Sequence, residues 1–270
     1  MPLLEIRKAC KGYGKGAERT NVLHDVNLSV DDGEFVAIVG YSGTGKSTLI
    51  SLLAGLRMPD SGSVLMEGKP IEGAGPSRGV VFQNYSLLPW LSVLDNVLFA
   101  VQSVFPDWDF NRRLAHCERY VAMVKLTQAS HKRPSELSGG MRQRVALART
   151  LALQPRVLLM DEPLSALDAL NRTALQNEIV GIWERERRTV VMITNDVDEA
   201  ILVADRVIPL LPGRNLGATL GESYPVPIPR PRTRESVTQQ PRIKQLKRQV
   251  IDVLLTARRV SQDLVLEGVA

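Results

Sequence analysis

Apolar and polar residues alternate with a period of two early in the chain. Val26, Leu28 and Val30 are separated by Asn27 and Ser29, the pattern of a strand with one buried face. Residues 3–10 mix the two types as an edge strand does. Asp31-Asp32-Gly33 makes a turn. Residues 35–39 (FVAIV) are then apolar throughout, as expected for a strand covered on both faces. A glycine-rich loop follows over 40–45, and Leu49, Ile50, Leu52, Leu53 and Ala54 predict a buried helix that ends near Gly55. Residues 58–62 (MPDSG) form a turn.

Residues 84–154 read as a mostly helical lobe. Its best helix carries Met141, Val145, Ala148 and Ala152 at helical spacing, with Arg142, Arg144 and Arg149 between them. Ser138 is its natural N-cap and Gln154-Pro155 its stop. Residues 157–160 predict a buried strand, 171–187 a helix, 190–194 a second strand and 206–211 a short last one. Strands alternating with helices predict an α/β fold with a mainly parallel core sheet.

The texture changes after residue 211. Prolines occupy alternate positions in 224–231 (YPVPIPRP), which predicts an extended linker with no helix. Residues 243–255 then predict a basic amphipathic helix with Ile243, Leu246, Val250 and Leu254 on one face. The expected division is therefore 1–211 as one domain and 212–270 as linker plus helix. Charge divides the same way. From Arg206 onward there are eleven Lys and Arg against five Asp and Glu, so the net charge of +5 sits in the tail and the body is close to neutral. Such a tail suits nucleic acid, anionic lipid or an acidic partner, and charge alone does not choose. The two cysteines offer no disulfide framework, the three histidines are scattered, and no apolar run is long enough to span a bilayer. The first residues lack the basic-then-apolar order of a secretory signal. A cytoplasmic protein is the expectation.

Chemistry concentrates in three places. Gly40-Tyr41-Ser42-Gly43-Thr44-Gly45-Lys46-Ser47 fits the phosphate loop G-x-x-x-x-G-K-[ST], and Thr48 continues into the helix. Glycines let backbone N–H groups converge on phosphate oxygens, and the positive end of the following helix points there. Lys46 neutralises phosphate charge and Ser47 offers a hydroxyl to Mg²⁺. The strand at 157–160 runs into Asp161 and Glu162. Beside a nucleotide, Asp161 would hold the Mg²⁺ shell and Glu162 would polarise the attacking water; in isolation such a strand end reads as a surface turn. Leu137-Ser138-Gly139-Gly140-Met141 opens the best helix and is a second anion-seeking helix start. One nucleotide cannot easily use both starts from the same molecule. A head-to-tail dimer solves this, with the second start of one subunit over the nucleotide of the other.

This set and its order resemble the ATP-binding-cassette (ABC) ATPases over roughly residues 3–211. The resemblance implies the P-loop fold of that family, an antiparallel β subdomain and a helical lobe bearing the signature. It implies ATP and Mg²⁺ as ligands, Tyr13 stacked on adenine, and Gln83 sensing Mg²⁺ and the membrane partner. Ser165, Ala166, Leu167 and Asp168 would communicate across the dimer. Tyr13 as a surface aromatic and Gln83 as a plain loop residue remain alternatives. One position departs from the family pattern. The usual switch histidine is replaced in Thr194-Asn195-Asp196 by Asn195, which donates a hydrogen bond but carries no charge near neutral pH.

Ninety residues without coiled-coil heptads separate Lys46 from Leu137, similar to importer ATPases and unlike chromosome-maintenance ATPases. The expected partners are a second ATPase subunit, alike or different, integral permease subunits, and indirectly a solute-binding protein, at the cytoplasmic face of the membrane. Residues 84–97 (NYSLLPWLSVLDNV) would form the groove for a permease helix; the alternative is that Leu88 and Trp90 are lobe core. Residues 40–43, 193–200, 202–209 and 228–232 resemble most the nitrate, nitrite, cyanate and bicarbonate members of the nitrate/sulfonate/taurine importer branch. The expected role is an ATPase energising import of nitrate or a related small anion. The alternatives are a sulfonate or taurine importer, a soluble ABC ATPase acting on nucleic acid, and a cassette that binds without hydrolysing. Nucleic acid is not an expected partner.

Overall fold

A computed structural model describes residues 1–165, 168–213 and 216–267. The chain forms two compact units, 1–74 with 189–270, and 75–188.

The first unit begins with β1 (Leu4–Tyr13) and β2 (Thr20–Val30), paired antiparallel with Leu4 opposite Val30 and Ile6 opposite Leu28. The alternating residues of β2 are buried one by one, as the period of two predicts. Next, β3 (Phe35–Val39) is buried at every position. The glycine loop leads into α1 (Lys46–Ala54), stopped by Gly55, whose N–H bonds back to Leu52 and Ser51 carbonyls. Two more strands, β4 (Ser61–Met66) and β5 (Lys69–Pro70), complete an antiparallel sheet of order β2-β1-β4-β5.

The second unit opens with β6 (Arg78–Val81) and continues through α2 (Val93–Val104), α3 (Phe110–Met123) and α4 (Gly139–Ala152). These helices carry N-caps Ser92, Asp109 and Ser138, each accepting a backbone N–H. Then come β7 (Val157–Asp161), buried throughout and parallel to β6, and α5 (Ala169–Glu186). The packing of α4 onto β6 is close: a Cβ on Gly79 would stand 2.5 Å from Thr150 Cγ2, so only glycine fits there. Thr150 meanwhile donates to the Val80 carbonyl at 3.1 Å.

The chain returns to the first unit with β8 (Thr189–Thr194), α6 (Val197–Val203) and β9 (Arg206–Leu211). Both strands are parallel to β3, which lies between them. Short strands β10 (Thr219–Leu220) and β11 (Tyr224–Pro225) pair antiparallel with β9. The helices α7 (Arg234–Gln239) and α8 (Pro241–Glu267) end the described chain.

The proline-rich stretch is extended and fastened to the unit. Val226 and Ile228 are buried, Arg230 binds the Asp205 carboxylate at 3.0 Å, and Arg232 donates to the Ile201 carbonyl at 3.2 Å. Burial pulls the Arg232 pKa down to about 10. Helix α8 is longer than the predicted 243–255, and its apolar stripe Ile243, Leu246, Val250 and Leu254 is buried.

Candidate functional site

In the first unit, the phosphate loop leaves the buried end of β3 and closes at the first residue of α1. Gly43 (φ 83°) and Gly45 (φ 92°) adopt the left-handed conformation that turns backbone N–H groups inward. Lys46 is 4% exposed. Its ammonium donates to the Gly40 carbonyl at 3.0 Å and the Tyr41 carbonyl at 2.8 Å, and Thr44 Oγ1 donates to the same Tyr41 carbonyl at 2.8 Å. The lysine is thus folded back over its own loop, at the first turn of α1. Ser47 is exposed beside it.

A cavity of about 450 Å³ adjoins this loop, lined among others by Arg19, Asn21, Val22, Gly43, Thr44 and Gly217. Its size suits a nucleotide-sized ligand. Tyr13, at the end of β1, is not part of that lining. Its hydroxyl lies 3.4 Å from Thr48 Oγ1, and the Arg57 guanidinium sits 5.2 Å from its ring centre. Asp60 pins the strand end that carries Tyr13. It accepts from Lys11 at 2.7 Å, from the Gly12 N–H at 2.8 Å and from Arg19 at 2.6 Å. The Lys11 and Gly12 hydrogen bonds, with Arg19, hold its pKa at about 2 against the opposing effect of burial.

The register of β3 and β8 places Asn195. Val39 pairs with Thr194, and the Gly40 N–H donates to the Thr194 carbonyl at 3.3 Å. Asn195 is the next residue, exposed beside the start of the phosphate loop. Asp196 then caps α6 by accepting from the N–H groups of Asp198 and Glu199, which fixes the turn that presents Asn195.

In the second unit, β7 delivers Asp161, 7% exposed, and Glu162 at its end. Glu162 has φ 45°, a left-handed turn away from the strand direction. Ser165 Oγ donates to the Glu162 carbonyl at 3.0 Å, and Gln83 Nε2 donates to Ser165 Oγ at 3.2 Å. Because Val81 pairs with Met160 in the parallel register, Gln83 and Glu162 leave their strands at the same end. Three expected site residues, Gln83, Glu162 and Ser165, are therefore joined in one hydrogen-bonded chain. Asp168 is exposed; Ala166 and Leu167 lie outside the described residues. The signature stretch 137–141 opens α4 as expected, with Leu137 buried, Ser138 exposed, and Ser138 Oγ accepting from the Met141 N–H at 3.3 Å. Gly139 and Gly140 form the first residues of the helix, Gly139 half-buried and Gly140 buried.

Two positioning groups were not singled out by sequence. Asn96 is fully buried in α2, donating to the carbonyls of Leu88, Leu91 and Ser92 and accepting from the Leu88 N–H. That amide holds the segment 88–92 in shape. The available signal was a lone amide on the apolar face of α2. Arg149 in α4 donates to the carbonyls of Ser86 at 2.6 Å and Tyr85 at 3.1 Å, fixing the turn after Gln83. Burial lowers its pKa. Trp90 is 67% exposed, so it is not lobe core, while Leu88 is half-buried.

Potential metal donors divide by chemistry. Among the described residues, no group of three or more His, Cys, Asp or Glu is gathered as a metal cage. The expected donors Ser47, Gln83 and Asp161 all offer oxygen. That set fits Mg²⁺, which takes few protein ligands and shares the rest with phosphates and water.

Comparison with known proteins supplies the context. The family model for ABC transporter matches residues 23–165. The chain is 48% identical over 241 residues to the nitrate import ATP-binding protein NrtD of Synechococcus elongatus, covering 89% of this chain and 86% of that protein. It is 43% identical to the bicarbonate transport ATP-binding protein CmpD of the same organism, covering 94% and 90%. Among solved structures, the dimeric ATP-binding cassette MJ0796 bound to ADP and Pi in a post-hydrolysis state matches with a TM-score of 0.72 at 28% identity, covering 83% of this chain and 98% of that one.

Proposed function

We propose, for a chain that belongs to the ABC transporter family of ATPases, that its ATP hydrolysis drives an importer of nitrate or a related small anion. The observation that carries the reading is the phosphate loop, with left-handed Gly43 and Gly45 and an inward-held Lys46. These features support ATP as the ligand, its phosphates over the loop.

The roles follow from the chemistry of each group. Lys46 and the α1 N-terminus neutralise phosphate charge. Ser47, Gln83 and Asp161 would hold Mg²⁺, which would supply charge neutralisation to the phosphates. Glu162 takes a proton from the attacking water. The new oxygen–phosphorus bond forms at the γ-phosphorus as its bond to the bridging oxygen breaks, releasing ADP. Tyr13 stacks on the base. Asn195 donates to a γ-phosphate oxygen as a neutral amide. Asn195→Ala is expected to slow turnover by about 10²–10³-fold, the value of a lost donor to developing charge. A rate equal to the parent in a steady-state ATPase assay removes Asn195 from the site.

Ser138, Gly139 and Gly140 act on the nucleotide of a second subunit, so two ATP molecules close the dimer by contacts that exist only in the closed state. Among the described residues no helix is long and apolar enough to cross a membrane, which supports work at the cytoplasmic face on separate permease subunits. Exposed Trp90, on a loop held rigid by buried Asn96, supports docking of a permease helix there. Trp90→Ala is expected to abolish solute uptake while the isolated subunit keeps its ATPase activity and thermal midpoint. Uptake retained by Trp90→Ala, or lost only together with a lowered midpoint, overturns docking at Trp90.

The decisive experiment is purification from native membranes with bound partners, followed by reconstitution. Nitrate, delivered by its binding protein, should stimulate ATP hydrolysis. Stimulation by a sulfonate alone moves the substrate within the branch. Capture of nucleic acid with salt-sensitive affinity, and no permease, overturns the importer reading.

A further inference from the structure

We propose that α8 is a working part of the nucleotide site, with Arg258 as a positioning residue that steadies the phosphate loop through Tyr41. The inference rests on the ATP-binding reading of that loop.

The Arg258 guanidinium carbon lies 4.8 Å from the centre of the Tyr41 ring. That is inside the range of about 6 Å in which a cation is attracted to an aromatic face. Tyr41 is the second residue of the phosphate loop, and its backbone carbonyl is the hub of that loop. It accepts from Lys46 Nζ at 2.8 Å and from Thr44 Oγ1 at 2.8 Å, and from the Thr44 N–H at 3.3 Å. The ring and the carbonyl of one residue therefore connect Arg258 to the lysine that meets the phosphates. Holding the ring fixes the direction of the Tyr41 Cα–Cβ bond, and with it favours the backbone torsions that present its carbonyl to Lys46.

Arg258 reaches Tyr41 because α8 is anchored. Leu246, Val250 and Leu254 are buried at intervals of four residues, and Arg258 is the next position of that stripe. The helix packs on α6 and β9, and Lys247 pairs with Asp198 of α6 at 2.6 Å. Helix α6 starts at its cap Asp196, directly after Asn195. One helix thus braces both flanks of the loop: the turn that presents Asn195 on one side and Tyr41 on the other. This gives the basic tail a task inside the molecule, without a nucleic acid or lipid surface.

The test measures ATP affinity, KM and kcat for the full chain and its variants. Arg258→Ala should weaken ATP binding about two- to fivefold, the value of an exposed cation–aromatic contact, and raise KM by the same factor with kcat nearly unchanged. Arg258→Lys should recover most of the affinity. Arg259→Ala removes the same charge one residue away and should change nothing. Tyr41→Ala should weaken binding, and adding Arg258→Ala to it should cause no further loss, since both changes break one contact. An Arg258→Ala chain with parental affinity overturns the proposal. So do losses that add, equal losses from Arg258→Ala and Arg259→Ala, or a lowered kcat and thermal midpoint with KM intact. Failure of the parent chain to bind ATP, or retention of binding by Lys46→Ala, instead overturns the assignment of the loop itself.

Discussion

Glu162→Gln should bind ATP as tightly as the parent chain and lose turnover by about 10²–10⁴-fold, the contribution of a positioned general base. The substitution is nearly isosteric, so its effect is chemical. An amide still orients water but cannot accept its proton at neutral pH. The surroundings of Glu162 make a compensating shift costly. Its backbone sits at φ 45°, and Ser165, itself bonded to Gln83, ties down its carbonyl. Binding and hydrolysis should separate cleanly: equilibrium nucleotide binding unchanged, phosphate release lost. Because closure depends on intact ATP held by both subunits, the variant should also accumulate as a dimer when ATP is added, visible by light scattering. Hydrolysis at the parent rate would give the water chemistry to another group.

Gly139→Asp should abolish hydrolysis while leaving the loop of the same chain able to bind ATP. The residue opens α4, directly after Ser138, which caps the Met141 N–H. A carboxylate there occupies the anion-binding end of the helix and repels a phosphate. Removing even one such donor costs about 10²–10³ in rate at other sites that bind developing charge. The location of the damage carries the information. Mixing this variant with Glu162→Gln should yield dimers with one complete site, in which the Gly139→Asp subunit supplies the phosphate loop and Glu162 and its partner supplies the helix start. Activity regained on mixing, and a specific rate that rises with protein concentration, establish action across the dimer. Full turnover by a dilute monomer sinks the two-subunit mechanism.

The site was legible in sequence wherever function is written into contiguous backbone. A phosphate loop is a run of residues whose conformations are local: Gly43 and Gly45 take left-handed torsions that other residues resist. The order of apolar strand and buried helix around it adds a second local signal. Likewise Ser138 caps α4 because its own side chain reaches the N–H three residues on. Asp161 and Glu162 follow a strand buried at every position, which a continuous apolar run announces.

Long-range pairings were not legible in this way. Asn96 looks like one polar residue in an amphipathic helix, yet its amide makes four hydrogen bonds to a preceding loop. Trp90 has the composition of a core residue and lies exposed, on the segment whose flanks Leu88 and Leu91 are held by Asn96. The proline-rich stretch excludes helix by its covalent geometry, but whether it hangs free depends on partners elsewhere. Asp205 and the carbonyls of α6 supply them for Arg230 and Arg232.

The sequence by itself determined the strand–loop–helix cradle, the caps and the carboxylate-bearing strand end, since torsional preference, capping and hydrophobic period all act within a few residues of chain. Only the tertiary structure decided that Asn195 stands beside Gly40, that Gln83, Ser165 and Glu162 form one hydrogen-bonded chain, and that the last helix returns to lay Arg258 over Tyr41. Those relations depend on strand register and helix docking, where burial of distant apolar faces sets the alignment and polar partners meet as a result.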